Sequence, residues 1–537
     1  MSDQVTPDTD EGTARRPNVL LVTLDQFRAE CLGIAGHPVV RTPTLDRLAR
    51  EGVRFAHHFS NCAPCSPGRA SLLTGLWQMH HRVTENGVPL ADDLPMLARL
   101  LRDLGYAPTL FGYTDTALDP RGRPADDPAL RNWEEALPGF DVALMLDERI
   151  EPWLDWLAGV GVTTDDPPWG IYRHAEVPIP AGRGATWPPT VYDADHTESA
   201  FVSDTAIDWF RRRSGDTDPW CVHLSYLRPH PPYIAPDPYN DMYDPADVPP
   251  PVRLATLADQ AAVHPFLEGA LSIVPSPVDR LDQDQLRATY YGMITEVDHQ
   301  LGRVLDHLRS TGELDHTLVV VTSDHGEQLG DHWLVEKVGF YDPSFRIPLI
   351  VRWPGMAGPP GRVVDAFTEN VDVLPTILDL CGGEIPAFCD GASLRPFLDE
   401  DRSGTDAPDR WRDTVLFEYD FRDPRHTMIE QLYGLRQDEC GICTVRDAHG
   451  AYVHFGSHLP PLFFDLDDDP GELVDLAPRA GSDPGVAARM LDYAGRMLDL
   501  RMAHADPRLT STRITDDGPV HRPDPPRPWL GLSDRPG

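Results

Sequence analysis

The stretch CAPCSPGRASLLTG at residues 62–75 places a cysteine, a proline and an arginine at close spacing. Pro67 suits the first turn of a helix, and this puts Cys65 at the helix N-terminus, where backbone N–H groups attract anions. Arg69 follows one turn later, so it can hold the side chain of residue 65 or a substrate oxyanion. This pattern places the Cys65 side chain at an anion-binding helix terminus.

A structural alternative exists for the same cysteines. Cys62 and Cys65 could pair with Cys440 and Cys443 as a four-cysteine zinc site or a redox pair. The separation between the two pairs is far longer than in zinc ribbons, and the alternative leaves the proline and arginine unexplained. We therefore disfavour the zinc site and the redox pair, and regard Cys62 as structural.

Two dipeptides supply candidate metal ligands. Asp25-Gln26 ends the first apolar run, and the segment SDHGEQLGDH contains Asp324 and His325. With residue 65 they form an oxygen-rich set with one imidazole, which suits Mn²⁺, Ca²⁺, Fe²⁺ or Zn²⁺ without selecting among them. A divalent ion there would neutralise an incoming phosphoryl or sulfuryl oxygen.

Lys337 is the only lysine in the 537 residues, whereas the other 46 basic residues are arginine. Arginine and lysine are not equivalent where a compact, rotatable point charge is needed instead of a planar fork. The retention of one ammonium therefore indicates a specific role for Lys337, although drift alone would also leave a single lysine.

The elements that must position these residues alternate between strands and helices. Strand-like runs occur at 17–26, 107–116, 219–233, 317–327 and 347–355, with helical periodicity between them. Such alternation predicts an α/β fold with a large, mainly parallel sheet flanked by helices. Ligands bind at the carboxyl ends of such strands, and the residues at or just beyond those ends are Asp25, Tyr113, His230, Asp324 and His325.

The chain is expected to divide into four parts. A disordered tail (1–16) precedes a catalytic α/β domain (17–400), a smaller C-terminal α+β domain with an antiparallel sheet (401–505) and a Pro-rich extended tail (506–537). The Pro- and Asp-rich stretches 117–200 and 234–280 have weak periodicity. They are expected to be long loops that cover a site or form an interface.

The composition excludes several classes of protein. A net charge of −38 argues against nucleic acid or an anionic membrane as a partner. The N-terminal residues lack the features of a signal peptide, and we find no apolar run of about 18 residues. Eight cysteines fit reduced thiols. We expect a cytoplasmic enzyme.

The motif Cys65-Ser-Pro-Gly-Arg69 followed by ASLLTG resembles the sulfatase signature, and the resemblance extends over about residues 17–505. The chain is similar to the alkaline phosphatase superfamily, most of all to phosphonate monoester hydrolases, which also cleave phosphodiesters. The segments that carry this likeness are GYTDTALDPR, LRPHPPY, TEVDHQLGRV, TSDHGEQLGDH, DPSFRIPL, FEYDFRD and PPLFFDLDDDPGE. The resemblance implies an alkaline-phosphatase-like fold. It also implies that a formylglycine-generating enzyme oxidises Cys65 to formylglycine, whose hydrated aldehyde is the nucleophile.

The resemblance also implies a set of site residues. One divalent metal ion, with Mn²⁺ preferred, would be bound by Asp25, Gln26, Cys65, Asp324 and His325. The catalytic residues would be Cys65, Arg69, His230 and Lys337. The substrate contacts would be Asn86, Tyr113, Asp115, His230 and Lys337.

The segment GYTDT departs from the family at residues 112–116. Typical sulfatases hold the sulfate with two lysines, one of them at this place, and this chain has only Lys337. The departure favours a less highly charged monoanion, a phosphodiester or phosphonate monoester. Asp115 stands where the resemblance leads us to expect a threonine. It either points into the site as an additional negative charge or general base, or points away as an ordinary loop acid.

We therefore expect a hydrolase of phosphonate monoesters and phosphodiesters with some activity toward sulfate esters. The alternatives are an arylsulfatase and, more remotely, an inactive homologue kept for binding or assembly. The expected partners are a small anionic ester and, transiently, the formylglycine-generating enzyme. The resemblance also implies a homotetramer.

Overall fold

The computed structural model describes most of the chain, namely residues 16–166, 168–399, 407–408, 411–423, 428–505, 512–516 and 518–521. Nearly all of the predicted N-terminal tail and most of the predicted C-terminal tail lie outside these residues. No helix among the described residues is long and apolar enough to cross a membrane.

The strands and helices of the described residues are numbered in chain order. The strands are β1 (Asn18–Leu24), β2 (Val53–Phe59), β3 (Cys62–Ala63), β4 (Pro108–Gly112), β5 (Asp141–Met145), β6 (Cys221–Tyr226), β7 (Thr317–Thr322), β8 (Arg346–Arg352), β9 (Arg362–Glu369), β10 (Val415–Asp420), β11 (Gly441–Arg446), β12 (Gly450–Phe455), β13 (Leu462–Asp465), β14 (Thr512–Thr515) and β15 (Gly518–His521). The helices are α1 (Pro43–Glu51), α2 (Cys65–Thr74), α3 (Gln78–His81), α4 (Leu97–Asp103), α5 (Glu151–Gly159), α6 (Glu198–Arg212), α7 (Leu257–Ala261), α8 (Pro265–Ile273), α9 (Arg280–Ser310), α10 (Asp342–Phe345), α11 (Val373–Leu380), α12 (Arg395–Asp399), α13 (Met428–Tyr433) and α14 (Pro484–Ala503).

One mixed sheet of eight strands forms the centre of the fold, in the order β5-β4-β6-β1-β7-β8-β2-β9. The strands from β5 to β7 run parallel, while β8 is antiparallel to both of its neighbours, β7 and β2. The predicted α/β fold with a mainly parallel sheet is confirmed. All residues of β1, β6 and β7 are buried, as expected for a sheet covered by helices on both faces.

Alternate residues of β1 enter two different hydrophobic cores. Leu20, Val22 and Leu24 pack with side chains from α6 and the long helix α9. Val19 and Leu21 point to the opposite face and pack with α2, α4 and α11. This two-residue period fixes β1 between two helical layers and holds its carboxyl end in place.

A second sheet has the order β13-β12-β11-β10-β3. Its pairs are antiparallel except that β10 runs parallel to the two-residue strand β3 and aligns Glu418 with Cys62. Helix α14 packs on this sheet through Tyr493, Met497 and Leu500. The predicted antiparallel sheet after residue 400 is confirmed, whereas the exact domain boundaries stay predictions.

The stretches expected to be long loops contain regular elements. Residues 117–200 include β5 and α5, and residues 234–280 include α7 and α8. The strand β5 lies at the sheet edge, and its first three residues are exposed. An exposed edge strand needs no continuous apolar run, so the hydrophobic pattern did not reveal it.

Candidate active site at the carboxyl edge of the sheet

Neighbouring parallel strands bring polar side chains to one edge of the large sheet. Asp25 directly follows β1, Tyr113 directly follows β4, and Asp324 and His325 come shortly after β7. His230 lies in the loop after β6. The strands β4, β6, β1 and β7 are consecutive in the sheet, so their carboxyl ends and these side chains converge.

Cys65 is the first residue of α2 and is 4% exposed. Its Sγ lies 3.2 Å from His325 Nε2. Gly68 permits this approach, because a Cβ at residue 68 would stand only 2.5 Å from the carbonyl oxygen of Asp324. Burial, together with the neighbouring Asp25 carboxylate, raises the pKa of the Cys65 thiol. The encoded thiol is therefore a poor nucleophile.

One cluster among the described residues has the donors for a metal ion. The ligand atoms of Asp25, Cys65, Asp324 and His325 all lie within 4.8 Å of one another, and all four residues are buried. Asp25 Oδ1 has no hydrogen-bond partner within the described part of the chain. Two buried carboxylates and an imidazole around an unpaired oxygen fit a divalent cation. Cys62 and Cys440 are not part of this cluster, which disfavours the four-cysteine alternative.

Arg69 orients the two carboxylates of this cluster. Its guanidinium donates to Asp25 Oδ2 (2.8 Å) and Asp324 Oδ2 (3.0 Å), and also to Tyr113 O and Ser225 Oγ. The side chain is 1% exposed, and most of its N–H groups are used by the protein. The geometry therefore supports a positioning role for Arg69, while a direct contact with substrate stays a prediction.

Lys337 is held beside the cluster by two neutral acceptors. Its Nζ lies 2.8 Å from both His230 Nε2 and Gln26 Oε1, and 3.3 Å from Glu336 Oε2. Burial disfavours the ammonium, but negative groups around it, with Glu336 and Asp25 among them, raise the pKa of Lys337. Lys337 therefore stays charged. Its bond to Gln26 means that the predicted metal ligand Gln26 also anchors the ammonium.

His230 is neutral in this arrangement. Burial, reinforced by the Lys337 charge, lowers the pKa of His230 to about 4. Its Nδ1 lies 2.7 Å from Pro231 O and donates to it, which leaves Nε2 as the acceptor for Lys337 Nζ. The pair Lys337 and His230 thus holds one transferable proton at the mouth of the metal cluster.

Two predicted substrate contacts position other groups. Asn86 Oδ1 accepts a hydrogen bond from the backbone N–H of Ser66 at 3.0 Å and so caps the first turn of α2. The Tyr113 hydroxyl donates to Asp25 Oδ2 at 2.5 Å, and its ring lies 4.0 Å from the Arg69 guanidinium carbon. Both residues line a cavity with Cys65, so their contact with substrate stays a prediction.

A cavity with a volume of about 120 Å³ opens beside Cys65. Asp115 lines it and has a left-handed backbone with φ of 50°. Asp115 Oδ2 lies 3.5 Å from Arg69 Nε, and Oδ1 has no hydrogen-bond donor among the described residues. Of the two orientations expected for Asp115, the structure shows the one that faces the site. Burial and the nearby carboxylates of Asp25 and Asp324 raise the pKa of Asp115.

Glu134 lines the same cavity and was not identified from the sequence. Its side chain is hydrogen-bonded to Asp115 and accepts the backbone N–H of Glu148. Burial, together with the Asp115 charge, raises the pKa of Glu134. Glu134 belongs to the stretch 117–200, where no periodicity or strand end marks an acid as part of a site, so sequence reasoning had no signal for it.

Comparisons with known proteins agree with this geometry. The family model "Sulfatase" matches residues 17–383, and the model "N-sulphoglucosamine sulphohydrolase, C-terminal" matches residues 330–488. The multifunctional alkaline phosphatase superfamily protein PehA of Trinickia caryophylli is 40% identical over 524 residues, which cover 94% of this chain and 98% of that protein.

Two solved structures are similar over nearly their whole length. The phosphonate monoester hydrolase of Agrobacterium radiobacter matches with a TM-score of 0.88 and 42% identity, covering 94% of this chain and 100% of that one. The phosphonate monoester hydrolase SpPMH of Silicibacter pomeroyi matches with a TM-score of 0.86 and 39% identity, covering 95% of this chain and 99% of that one.

Proposed function

Because this chain belongs to the sulfatase family, we propose that it is a metal-dependent hydrolase that cleaves phosphonate monoesters and phosphodiesters. The proposal extends to this chain what the names of two similar structures say of those proteins. The convergence of Cys65, Asp25, Asp324 and His325 at the sheet edge supplies the chemistry that the proposal needs.

The observation that carries the choice of substrate is the distribution of charge around the cavity. Lys337 is the only lysine of the chain, and Asp115 faces the cavity after β4. A sulfate ester presents three non-bridging oxygens, whereas a diester or phosphonate monoester presents two and carries a second carbon substituent. One ammonium and an opposing carboxyl group are better suited to two oxygens.

The family implies a divalent metal ion and a formylglycine made from Cys65, and we propose Mn²⁺ as the ion. The ion would be held by Asp25, Asp324 and His325, with Gln26 as a further oxygen donor beside them. When bound, the ion supplies positive charge for the substrate oxygens, and formylglycine supplies the nucleophilic oxygen.

The chain's own residues orient the substrate and move the proton. Arg69 and Tyr113 hold the Asp25 carboxylate, so its free oxygen keeps one direction. The Lys337 ammonium is placed to bind a non-bridging or leaving oxygen, where it stabilises the charge that develops during the reaction. The Lys337 ammonium, which is hydrogen-bonded to neutral His230, can donate a proton to the leaving oxygen as the alcohol is released, and His230 then stays hydrogen-bonded to Lys337.

Three further expectations remain proposals. We propose that the chain acts in the cytoplasm as a homotetramer and has neither nucleic acid nor membrane as a partner. We also propose that a formylglycine-generating enzyme modifies Cys65. The burial of the unmodified thiol and its raised pKa support a nucleophile other than the thiolate.

The test is a comparison of an aryl phosphonate monoester, an aryl phosphodiester and an aryl sulfate with protein co-expressed with the modifying enzyme. Cys65→Ala serves as the blank, and mass spectrometry of the peptide containing residue 65 measures the aldehyde. We expect the two phosphorus esters to exceed the sulfate by at least about tenfold in kcat/KM, which is about 1.4 kcal/mol. If kcat/KM is instead higher for the aryl sulfate by the same factor, the chain is an arylsulfatase.

A further inference from the structure

Two carboxyl groups of the cavity lack a countercharge of their own. Asp115 is 4% exposed and Glu134 is 7% exposed, and their side chains are in contact. Among the described residues no arginine or lysine forms an ion pair with Glu134. Asp115 is next to Arg69, but that guanidinium lies closer to Asp25 and Asp324.

Other acids of the same cavity are paired. Asp147 forms an ion pair with Arg149, and Glu198 lies 3.4 Å from Arg228. Glu148 also lines the cavity but is exposed, so the buried acids with the weakest pairing there are Asp115 and Glu134. The hydrogen bond between the two carboxyl groups requires a shared proton, and a cation bound beside them would allow both to ionise.

Aromatic rings line the cavity together with this pair. Trp133, Trp169 and Tyr172 all belong to the lining, and Trp169 is 54% exposed. The rings of Trp169 and Tyr172 have centroids 6.0 Å apart and are tilted by 38°. Faces of tryptophan and tyrosine attract alkylammonium groups, and aromatic walls beside a carboxylate are the usual means of binding them.

Resting on the proposed diester hydrolysis, we propose that this cavity binds an ammonium group carried by an alcohol substituent of the substrate. Asp115 and Glu134 are its carboxylate partners, and Trp133 and Trp169 form its aromatic wall, because the Tyr172 ring already lies 5.3 Å from the Arg228 guanidinium carbon. The ester phosphorus then lies at Cys65, and the cationic alcohol extends away from it along the cavity. The cavity volume of about 120 Å³ favours a small alcohol such as a trimethylammonioethyl group.

The free carboxyl oxygen supports an organic cation over an enclosed metal ion. Asp115 Oδ1 is buried and has no donor within the described residues. A metal ion would need at least one more ligand side chain, and the described residues contain only the one cluster around Cys65. Burial raises the pKa of both Asp115 and Glu134, and an ammonium bound beside them would favour their ionised forms.

Two diesters of 4-nitrophenol that differ by one charge provide the test. In the first, the second alcohol of the phosphodiester is choline. In the other, it is 3,3-dimethylbutanol, which has the same shape as choline but no charge. We expect the metal-loaded, formylglycine-containing enzyme to prefer the choline diester by at least about tenfold in kcat/KM. Asp115→Asn and Glu134→Gln should each reduce this preference about three- to tenfold, and the double variant should abolish it.

Asp218→Asn is the matched control, because it removes a carboxylate from an exposed position and should leave the preference unchanged. Equal rates for the two diesters would overturn the inference and leave the proposed function intact. A preference that persists in the double variant would overturn the assignment to these carboxyl groups.

A third possibility is that neither diester is hydrolysed above the Cys65→Ala blank. The proposed function then fails, and calorimetric titration of the same protein with choline decides the inference separately. Binding that is lost in the double variant supports it, and an absence of binding to the wild-type protein overturns it.

Discussion

Replacing Lys337 with methionine should lower kcat for an ethyl phosphonate ester by about 100- to 1000-fold while KM changes little. Methionine has nearly the same length but no ammonium. In the structure Lys337 Nζ is held at 2.8 Å by both His230 Nε2 and Gln26 Oε1, so it is placed before the substrate arrives. A preorganised charged donor on a developing oxyanion, shielded from water, contributes about 3–4 kcal/mol to the transition state.

The leaving group distinguishes two roles for the ammonium. If Lys337 and His230 protonate the leaving oxygen, the loss should be about tenfold for a 4-nitrophenyl ester and far larger for an ethyl ester, which has a more basic leaving group. If Lys337 binds a non-bridging oxygen, both esters should lose the same factor. Steady-state kcat and KM for the two esters of one phosphonic acid provide the measurement.

Arg211→Met is the control, because it removes an exposed positive charge from the last turn of α6. Lys337→Arg should remain at least about tenfold below wild type, since the planar fork does not reproduce a compact point charge. The reasoning is refuted if Lys337→Met, with unchanged Tm and metal content, keeps kcat within about threefold of wild type for both esters.

Three further outcomes are expected. A chelator should abolish hydrolysis and lower Tm, because Asp25 and Asp324 then lack a cation. Adding Mn²⁺ at about 100 times its Kd should raise the free energy of unfolding again by about 2.7 kcal/mol, measured by thermal unfolding. Gly68→Ala should destabilise the protein by about 1–3 kcal/mol, because the added Cβ meets the Asp324 carbonyl at 2.5 Å; an unchanged Tm would contradict this packing. For a diester with two neutral alcohols, kcat/KM should fall as pH rises through the raised pKa of Asp115, because the ionised carboxylate repels the anionic ester. Asp115→Asn should remove this decrease in kcat/KM. A pH profile identical to that of the wild type would refute the role of Asp115.

The site residues that lie at the carboxyl ends of strands could be predicted from the sequence. Asp25, Tyr113 and Asp324 each come after a buried apolar run, and parallel strands place their carboxyl ends together whatever the loops do. Cys65 was located by its own local motif, since a proline in the first helical turn fixes where α2 begins. These residues could be identified because the physical signal lies within a few neighbouring positions.

The remaining features depend on contacts between distant segments. The direction of the Asp115 side chain depends on a backbone φ of 50°, which no pattern around GYTDT reveals. Glu134 lies next to Asp115 because Glu135 and Thr116 pair through their backbones, and the antiparallel direction of β8 follows from its pairing with β7 and β2. Long-range pairing of this kind leaves no periodicity in a single sequence.

The pairing of β3 with β10 joins two segments of the chain that are synthesised at different times. Cys65 follows a strand whose partner, Val415–Asp420, is synthesised 350 residues later. At about 5–20 residues per second, translation reaches that partner about 20–70 s after the cysteine has been made. If a formylglycine-generating enzyme modifies Cys65 as proposed, it has at least this interval before β3 can pair with β10. Slower elongation would lengthen the interval.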